Sequence, residues 1–170
     1  MIFIKIYAII GVEKGGITVT VLDIRKAGDK VLKEQAAPVA KIDRRIKKLL
    51  DDMAQTMYEA SGVGLAAPQV GASLRVVVID AGEGLLELVN PVVVAGEGCE
   101  AATEGCLSVP GVYGEVERYA KVTVEGLNRE GRKVTVSGTG LLARALQHEI
   151  DHLDGVLFIE KATTVYKGQN

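Results

Sequence analysis

The stretch LLARALQHEIDHLDG, Leu141 to Gly155, predicts the helix around which the rest of the chain is arranged. It places His148 and His152 four residues apart, so both imidazoles lie on one face of a helix, one turn from each other. Two histidines at this spacing can hold one zinc-like ion, and an acid beside the first, here Glu149, is typical of such sites. The stretch therefore predicts a metal-binding helix.

The third ligand of this metal site must come from elsewhere in the chain. A catalytic ion usually takes three protein ligands and leaves one position for water, and the 170 residues contain only two histidines. The position that carries a third histidine in the metzincin pattern is Phe158, which has no lone pair to donate. The remaining ligand is therefore expected to be a Cys, Asp or Glu.

The composition indicates one globular domain without linkers or repeats. A hydrophobic content of 48% and a charged content of 25% suit a chain of 170 residues that buries a sizeable core. The net charge of −2 and the pI near 5.8 give no basic footprint for nucleic acid. Two cysteines are too few for a disulfide framework, which favours a reducing, cytoplasmic location.

The first 18 residues differ from the rest of the chain. MIFIKIYAII is too short to span a bilayer, which takes about 20 residues, and it lacks the features of a signal peptide. It is either a short edge strand or a non-native extension, since KGG at residues 14–16 matches an in-frame ribosome-binding sequence and Val19 would then be a GTG start codon. We expect residues 19–170 to form a single domain.

After this segment the sequence predicts an α+β fold. A helix is expected from the N-cap Asp43 to a stop at Gly62, with Met53 and Met57 in the core. The turn 129–131 should join two strands as a hairpin. Because strands follow one another without intervening helices, the sheets should be mainly antiparallel and should pack around the histidine helix. The predicted strands are LRVVVID, LLELVNPVVV, YAKVTVEGLN and RKVTVSG.

Cys106 is the best candidate for the third metal ligand. It lies in TEGCLSVPG, residues 103–111, which the glycines and the proline predict to be a short loop. Cys-His-His is a known ligand set for zinc-like ions, and a thiolate in a loop can reach a helix that packs on the sheet. Alone, Cys106 would be interpreted as a small buried residue. Cys99 keeps that structural interpretation.

Three stretches together resemble the peptide deformylase family. They are GVGLAAPQVG at residues 62–71, EGCLSVP at 104–110 and QHEIDHLDG at 147–155, in the order of the family motifs and at comparable separations. The resemblance extends from about Leu22 to Phe158. It implies a metallohydrolase that removes the formyl group from the N-terminal formylmethionine of newly synthesised proteins and releases formate.

The resemblance also implies roles for individual residues. Glu149 would take a proton from a metal-bound water and pass it to the departing amine. The side-chain amide of Gln69 and the backbone N–H of Leu107 would face the oxyanion that develops on the formyl oxygen. The ion itself would be held by Cys106, His148 and His152.

Substrate recognition is expected to combine backbone pairing with an apolar pocket. Gly62 and Gly64 permit close backbone approach or a positive φ, and in the family the second lets the substrate pair like an added strand. Val63, Leu141 and Ala145 should line the pocket for the methionine side chain, because the last two lie on the ligand face of the helix. Plain core positions are the alternative for all three.

The metal and the partners are expectations of the same resemblance. The ion should be Fe(II) in the cell, although the ligand set also suits Zn(II), Ni(II) or Co(II). Glu104 and Asp151 are candidates for hydrogen bonds behind the ligands or within the scaffold, since a ligand histidine usually donates its other N–H to an oxygen. Glu104 is the better candidate, and a surface role is the alternative for Asp151. The partners are formylmethionyl nascent peptides, with transient proximity to the ribosome and with neither a membrane nor specific nucleic acid. Because only residues 153–170 follow His152, we do not expect the long basic C-terminal helix that some relatives use to dock at the ribosome exit.

Two other classes of protein compete with this interpretation. A metallopeptidase would use the same helix but would take its third ligand from a following segment, where Glu160 is the nearby acid. That choice leaves Cys106 and Gln69 without a role. A binding module that has lost activity is the other alternative, and the presence of Glu149 and Gln69 argues against it.

The start-codon hypothesis predicts the mass of the protein made from its own genomic locus. We expect an intact mass that begins at residue 19, because residues 1–18 would belong to the untranslated leader. Mass spectrometry of the purified protein measures this directly. A mass that includes Met1 to Thr18 would overturn the hypothesis.

Overall fold

Two α-helices and eight strands form residues 18–168, the part of the chain that the computed structural model describes. The edge strand or extension expected for residues 1–18 lies outside this part except for its last residue. Within it, no helix is long and apolar enough to cross a membrane. The elements are β1 (Gly64–Ala66), β2 (Val76–Ile79), β3 (Leu86–Glu97), β4 (Glu100–Cys106), β5 (Val109–Arg118), β6 (Lys121–Leu127), β7 (Lys133–Thr139), β8 (Thr164–Lys167), α1 (Arg44–Glu59) and α2 (Gly140–Leu153).

The strands form two antiparallel sheets, which confirms the predicted fold class. The larger sheet has the order β1-β2-β3-β6-β7, and the smaller has the order β4-β5-β8. Every pairing between these strands is antiparallel. The four predicted strands correspond to β2, β3, β6 and β7, and the last two form the expected hairpin.

Helix α1 begins where the sequence predicted and ends slightly earlier. The carboxylate of Asp43 accepts the N–H groups of Arg45 and Ile46, as an N-cap does. At the other end the left-handed residue is Ser61, with φ 55°, and not Gly62. The N–H of Gly62 instead donates to the carbonyl of Met57 at 2.9 Å, so the glycine closes the helix through its backbone bond.

The prediction of a loop over residues 103–111 was wrong. Strand β4 ends at Cys106 and β5 begins at Val109, so only Leu107 and Ser108 turn between two paired strands. Gly105 and Pro110, which suggested the loop, mark an irregular hairpin end, since the pairing register shifts directly after Gly105. Such a shift re-aims the following side chain, and here that side chain is Cys106.

The larger sheet separates two apolar cores. Side chains alternate along β2, so Val76 and Val78 face one core while Val77 and Ile79 face the other. Helix α1 packs on the first face and α2 on the second. The buried α1 residues include Leu50, Met53 and Met57, and the buried α2 residues include Ala143, Leu146, Ile150 and Leu153.

The smaller sheet lies against α2 and completes the surroundings of the histidine helix. Arg144 of α2 donates to the carbonyls of Val116 and Glu100 at 2.9 and 2.8 Å. A third apolar cluster, which contains Val116 and Phe158, packs beside these contacts. Helix α2 is therefore held between both sheets, as the sequence led us to expect.

Truncation of Met57 tests the core between α1 and the larger sheet. Its side chain is fully buried, so we expect Met57→Ala to lower the free energy of unfolding by about 2–5 kcal/mol through lost contacts and a residual cavity. Met57→Leu is the matched control, because a volume-conserving change costs less than about 1.5 kcal/mol. Urea unfolding measures both, and equal stability of the two variants would contradict the assignment.

Candidate metal centre and active site

The structure brings together one cysteine and two histidines that lie far apart in the sequence. Cys106 ends β4, and His148 and His152 lie one turn apart on α2. The ligand atoms of the three residues all lie within 4.8 Å of one another, and Cys106 Sγ is 3.3 Å from His152 Nε2. A metal ion bonds to sulfur at about 2.3 Å and to nitrogen at about 2.0 Å, so one ion can reach both atoms.

The orientation of His148 is set by a carboxylate behind it. Glu104 Oε2 lies 2.8 Å from His148 Nδ1, which leaves Nε2 as the nitrogen that can bind an ion. Burial lowers the pKa of His148, but hydrogen bonds to Cys106 and Glu104 outweigh it and raise the pKa to about 10. The acceptors around His148 therefore stabilise positive charge at this position, either a proton on the ring or a metal cation that replaces it.

His152 offers a neutral ring to the same site. Burial, and then the charge of His148, hold the pKa of His152 well below its usual range. Two N–H donors face the sulfur of Cys106, from Ser108 at 3.4 Å and from Gln69 Nε2 at 3.5 Å. Donors directed at sulfur suit a thiolate. Once a divalent ion displaces the proton of His148, the three residues provide one anionic and two neutral donors, a set that fits such an ion.

Glu104 is itself held by a buried network of charges. Arg118 donates to both of its oxygens, at 2.7 and 2.9 Å, and Arg144 donates at 2.8 Å. Burial raises the pKa of Glu104, but the bonds from Arg118 and His148 outweigh it and hold that pKa well below its usual range. Arg118 also donates to Asp151 of α2 at 2.6 Å, so one guanidinium joins β4, β5 and α2.

Glu149 lies buried beside the three ligands. Burial raises the pKa of its carboxyl to about 7, and its Oε2 has no hydrogen-bond partner among residues 18–168. The side chain passes over Gly64, where an added Cβ would lie 2.8 Å from Glu149 Cδ. Gly62 meets Leu107 Cδ1 in the same way, at 2.9 Å. Neither glycine has a positive φ, so close approach is what both positions require.

The side chain of Gln69 points its amide nitrogen toward the ligands. Its Oε1 accepts the N–H of Ala66 at 2.8 Å, which fixes which end of the amide faces inward. Its Nε2 then lies 3.2 Å from Ser108 Oγ, besides its contact with Cys106. Leu107 occupies the turn directly after Cys106, so both expected oxyanion donors lie next to the metal ligands.

A cavity of about 570 Å³ opens over this site. Ala145 is buried within it, whereas Val63 and Leu141 are 36% and 54% exposed. Strand β1 pairs only with β2 in this part of the chain, so its other edge is open beside the cavity. The site residues that line the cavity are Val63, Gly64, Gln69, Cys106, Leu107, Leu141, Ala145, His148 and Glu149.

Two residues that the sequence raised lie apart from this site. Glu160 pairs with Lys33 at 2.6 Å and accepts the N–H of Leu157 at 2.9 Å, and it does not belong to the ligand group. The third ligand of a metallopeptidase is therefore not assembled here. Cys99 is exposed, so the prediction of a buried structural role for it was wrong.

The sequence patterns did not predict the charged residues that surround the ligand group. Arg118, Arg144 and Lys26 belong to no spaced motif, and each pairs with a residue at least 14 positions away. The only signal was the expectation that a ligand histidine needs an oxygen behind it. That expectation pointed to Glu104 but not to the arginines that hold it.

Comparison with known proteins agrees with this geometry. The sequence model of the family described as polypeptide deformylase matches residues 21–167. The peptide deformylase of Acetivibrio thermocellus is 64% identical over 138 residues, covering 81% of each chain. That of Pelotomaculum thermopropionicum is 58% identical over 147 residues, covering 86% of this chain and 95% of the relative.

Solved structures show the same fold. The peptide deformylase of Thermotoga maritima has a TM-score of 0.83 at 43% identity and covers 85% of this chain and 99% of its own. That of Synechococcus elongatus, solved in complex with actinonin, has a TM-score of 0.83 at 42% identity and covers 92% and 87%. Sequence and fold agree over nearly the whole described chain, and the chain therefore belongs to the polypeptide deformylase family.

Proposed function

We propose that this chain is a metal-dependent peptide deformylase, which hydrolyses the formyl amide of N-terminal formylmethionine and releases formate. The observation that carries the proposal is the placement of a Cys-His-His ligand group and a buried glutamate at one cavity. Family membership supports the same activity. Newly synthesised proteins are the substrates, and the cytoplasm is the proposed location.

Three side chains would hold the ion: Cys106, His148 and His152. Bound there, a divalent ion supplies Lewis acidity, which makes hydroxide available near neutral pH. Glu104 contributes by accepting the Nδ1–H of His148, so that the ring presents Nε2 to the ion. In the cell we propose Fe(II), with Zn(II), Ni(II) or Co(II) as substitutes that the same donors accept.

Glu149 is the proposed general base and acid. Its buried carboxyl has a pKa of about 7, and one oxygen lacks a partner in residues 18–168. A group with a pKa near the working pH can both accept and return a proton. Glu149 takes the proton of the attacking water and gives it to the methionine nitrogen as the bond between that nitrogen and the formyl carbon breaks.

Gln69 and Leu107 are the proposed oxyanion donors. The amide of Gln69 is oriented before substrate arrives, because the N–H of Ala66 holds its oxygen. Donors oriented in advance stabilise developing charge without the cost of reorganisation. As water adds to the formyl carbon, negative charge grows on the formyl oxygen, and the Nε2–H of Gln69 and the N–H of Leu107 donate to it.

The open edge of β1 and the cavity wall account for substrate binding in this proposal. A peptide that pairs with the edge at Gly64 extends the larger sheet by one strand. The methionine side chain then enters the apolar part of the cavity, whose walls include Val63, Leu141 and Ala145. We propose residues 19–170 as the catalytic domain, and nascent peptides near the ribosome as its partners.

Removal of the Glu149 carboxylate tests the function. We expect Glu149→Ala to lower formate release from a formyl-Met tripeptide at least about a hundredfold, because the proton transfer loses its base. The protein is prepared anaerobically, and elemental analysis checks that the variant still holds its metal. Glu117→Ala, which removes an exposed glutamate, should match the wild type, and the unformylated peptide should yield no formate. No release from the metal-loaded wild type would refute the proposal.

Exchange of the metal tests whether activity depends on an ion that air oxidises. We expect the Fe(II) protein to lose activity in air faster than the Ni(II) or Zn(II) protein. Oxidation of the Fe(II) ion, or of the Cys106 thiolate that holds it, inactivates the site. Activity against time in air, for three preparations of equal metal content, measures the effect. Equal decay for all three metals would count against Fe(II) chemistry.

A further inference from the structure

Two backbone N–H groups near the start of the described chain donate to side chains of α1. The N–H of Thr20 donates to Asp52 Oδ1 at 2.8 Å, and the N–H of Leu22 donates to Thr56 Oγ1 at 2.9 Å. Two extended residues advance about 6.6 Å and four helical residues about 6 Å. The segment therefore runs stretched along α1, and we name residues 20–27 the strap.

The far end of the strap binds both turns that carry the proposed oxyanion donors. The N–H of Arg25 donates to the carbonyl of Gln69 at 2.7 Å, and the N–H of Ala27 donates to the carbonyl of Ser108 at 2.8 Å. Between them, Lys26 Nζ donates to the carbonyl of Leu107 at 2.7 Å. Three consecutive residues thus contact Gln69, Leu107 and Ser108.

These two turns belong to different sheets. Gln69 follows β1 of the larger sheet, whereas Leu107 and Ser108 join β4 to β5 of the smaller sheet. Two contacts of Gln69 Nε2 already cross between the sheets, to Ser108 Oγ at 3.2 Å and to Cys106 Sγ, at the end of β4, at 3.5 Å. The strap adds one bond to the Gln69 turn and two bonds to the turn of Leu107 and Ser108, so it bridges the two turns and restricts how far they can separate.

We infer that the strap is a positioning element for deformylation, and that Lys26 is its positioning residue. The strap holds the side-chain amide of Gln69 and the backbone N–H of Leu107 at the separation that the oxyanion requires. The inference rests on the proposed function, because those donors act only when the formyl oxygen gains charge. An interaction realised only in the transition state changes kcat and leaves KM nearly constant.

Lys26 also lines the cavity, where it could contact the substrate directly. A substrate contact made equally in ground and transition states would change KM with kcat nearly constant. The two roles of Lys26 therefore differ in a measurable way. The bond from Leu22 to Thr56 lies at the α1 end of the strap, and neither residue lines the cavity, so this bond provides a second, independent site for the test.

The experiment compares Lys26→Met with Lys30→Met in the full-length, metal-loaded chain. Both lysines are exposed and lie four residues apart, but only Lys26 donates to the Leu107 carbonyl. With a formyl-Met tripeptide, we expect Lys26→Met to lower kcat about threefold to tenfold, the effect of one hydrogen bond. KM, metal content and melting temperature should stay close to wild type. Lys30→Met should match wild type in all four.

Thr56→Val removes the acceptor of Leu22 while it keeps the shape of the side chain. We expect Thr56→Val alone to lower kcat, as Lys26→Met does. Added to Lys26→Met, it should lower kcat by a smaller factor, because contacts through one strap are not additive. Unchanged kcat in both variants, or a rise in KM alone for Lys26→Met, would overturn the inference. A wild type that releases no formate would instead overturn the proposed function.

Discussion

The buried guanidinium of Arg118 joins the two elements on which the site depends. It comes from β5, binds both oxygens of Glu104 on β4 and reaches Asp151 on α2. Cys106 follows Glu104 by two residues, and Asp151 directly precedes His152. A buried ion pair contributes little net stability, but loss of one partner leaves an uncompensated charge. The network therefore serves chiefly to fix the cysteine strand against the histidine helix.

Helix α2 satisfies two different environments at once. Its apolar face, with Leu146 and Ile150, packs on the larger sheet, while His148 and Glu149 face the cavity. Gln147 anchors the helix to the segment after β5. Its side-chain amide accepts the N–H of Tyr119 and donates to the carbonyl of Tyr119, both at 3.0 Å. A helix that is anchored by packing and by polar bonds presents its histidines with little freedom, as a preorganised site requires.

Two glycines beside the cavity leave room for neighbouring side chains. Glu149 can lie against β1 because Gly64 has no side chain, and the Leu107 side chain can lie against Gly62, just after α1, for the same reason. The role of both glycines is steric, since neither adopts a backbone conformation reserved for glycine.

Local pattern was sufficient for the two helices and four of the strands, and long-range contact decided the site. The sequence by itself determined the Asp43 cap, the β6–β7 hairpin, the methionine core and the pairing of His148 with His152, because each follows from a helical or strand period. It also identified the family through three motifs. The strand character of residues 103–111 was missed, since local glycine and proline signals gave way to pairing with β5. Only the tertiary structure decided that Cys106 meets the histidines, that arginines hold Glu104 and that residues 25–27 bind both donor turns. These contacts join segments that no period relates, so burial and charge in the folded chain select them.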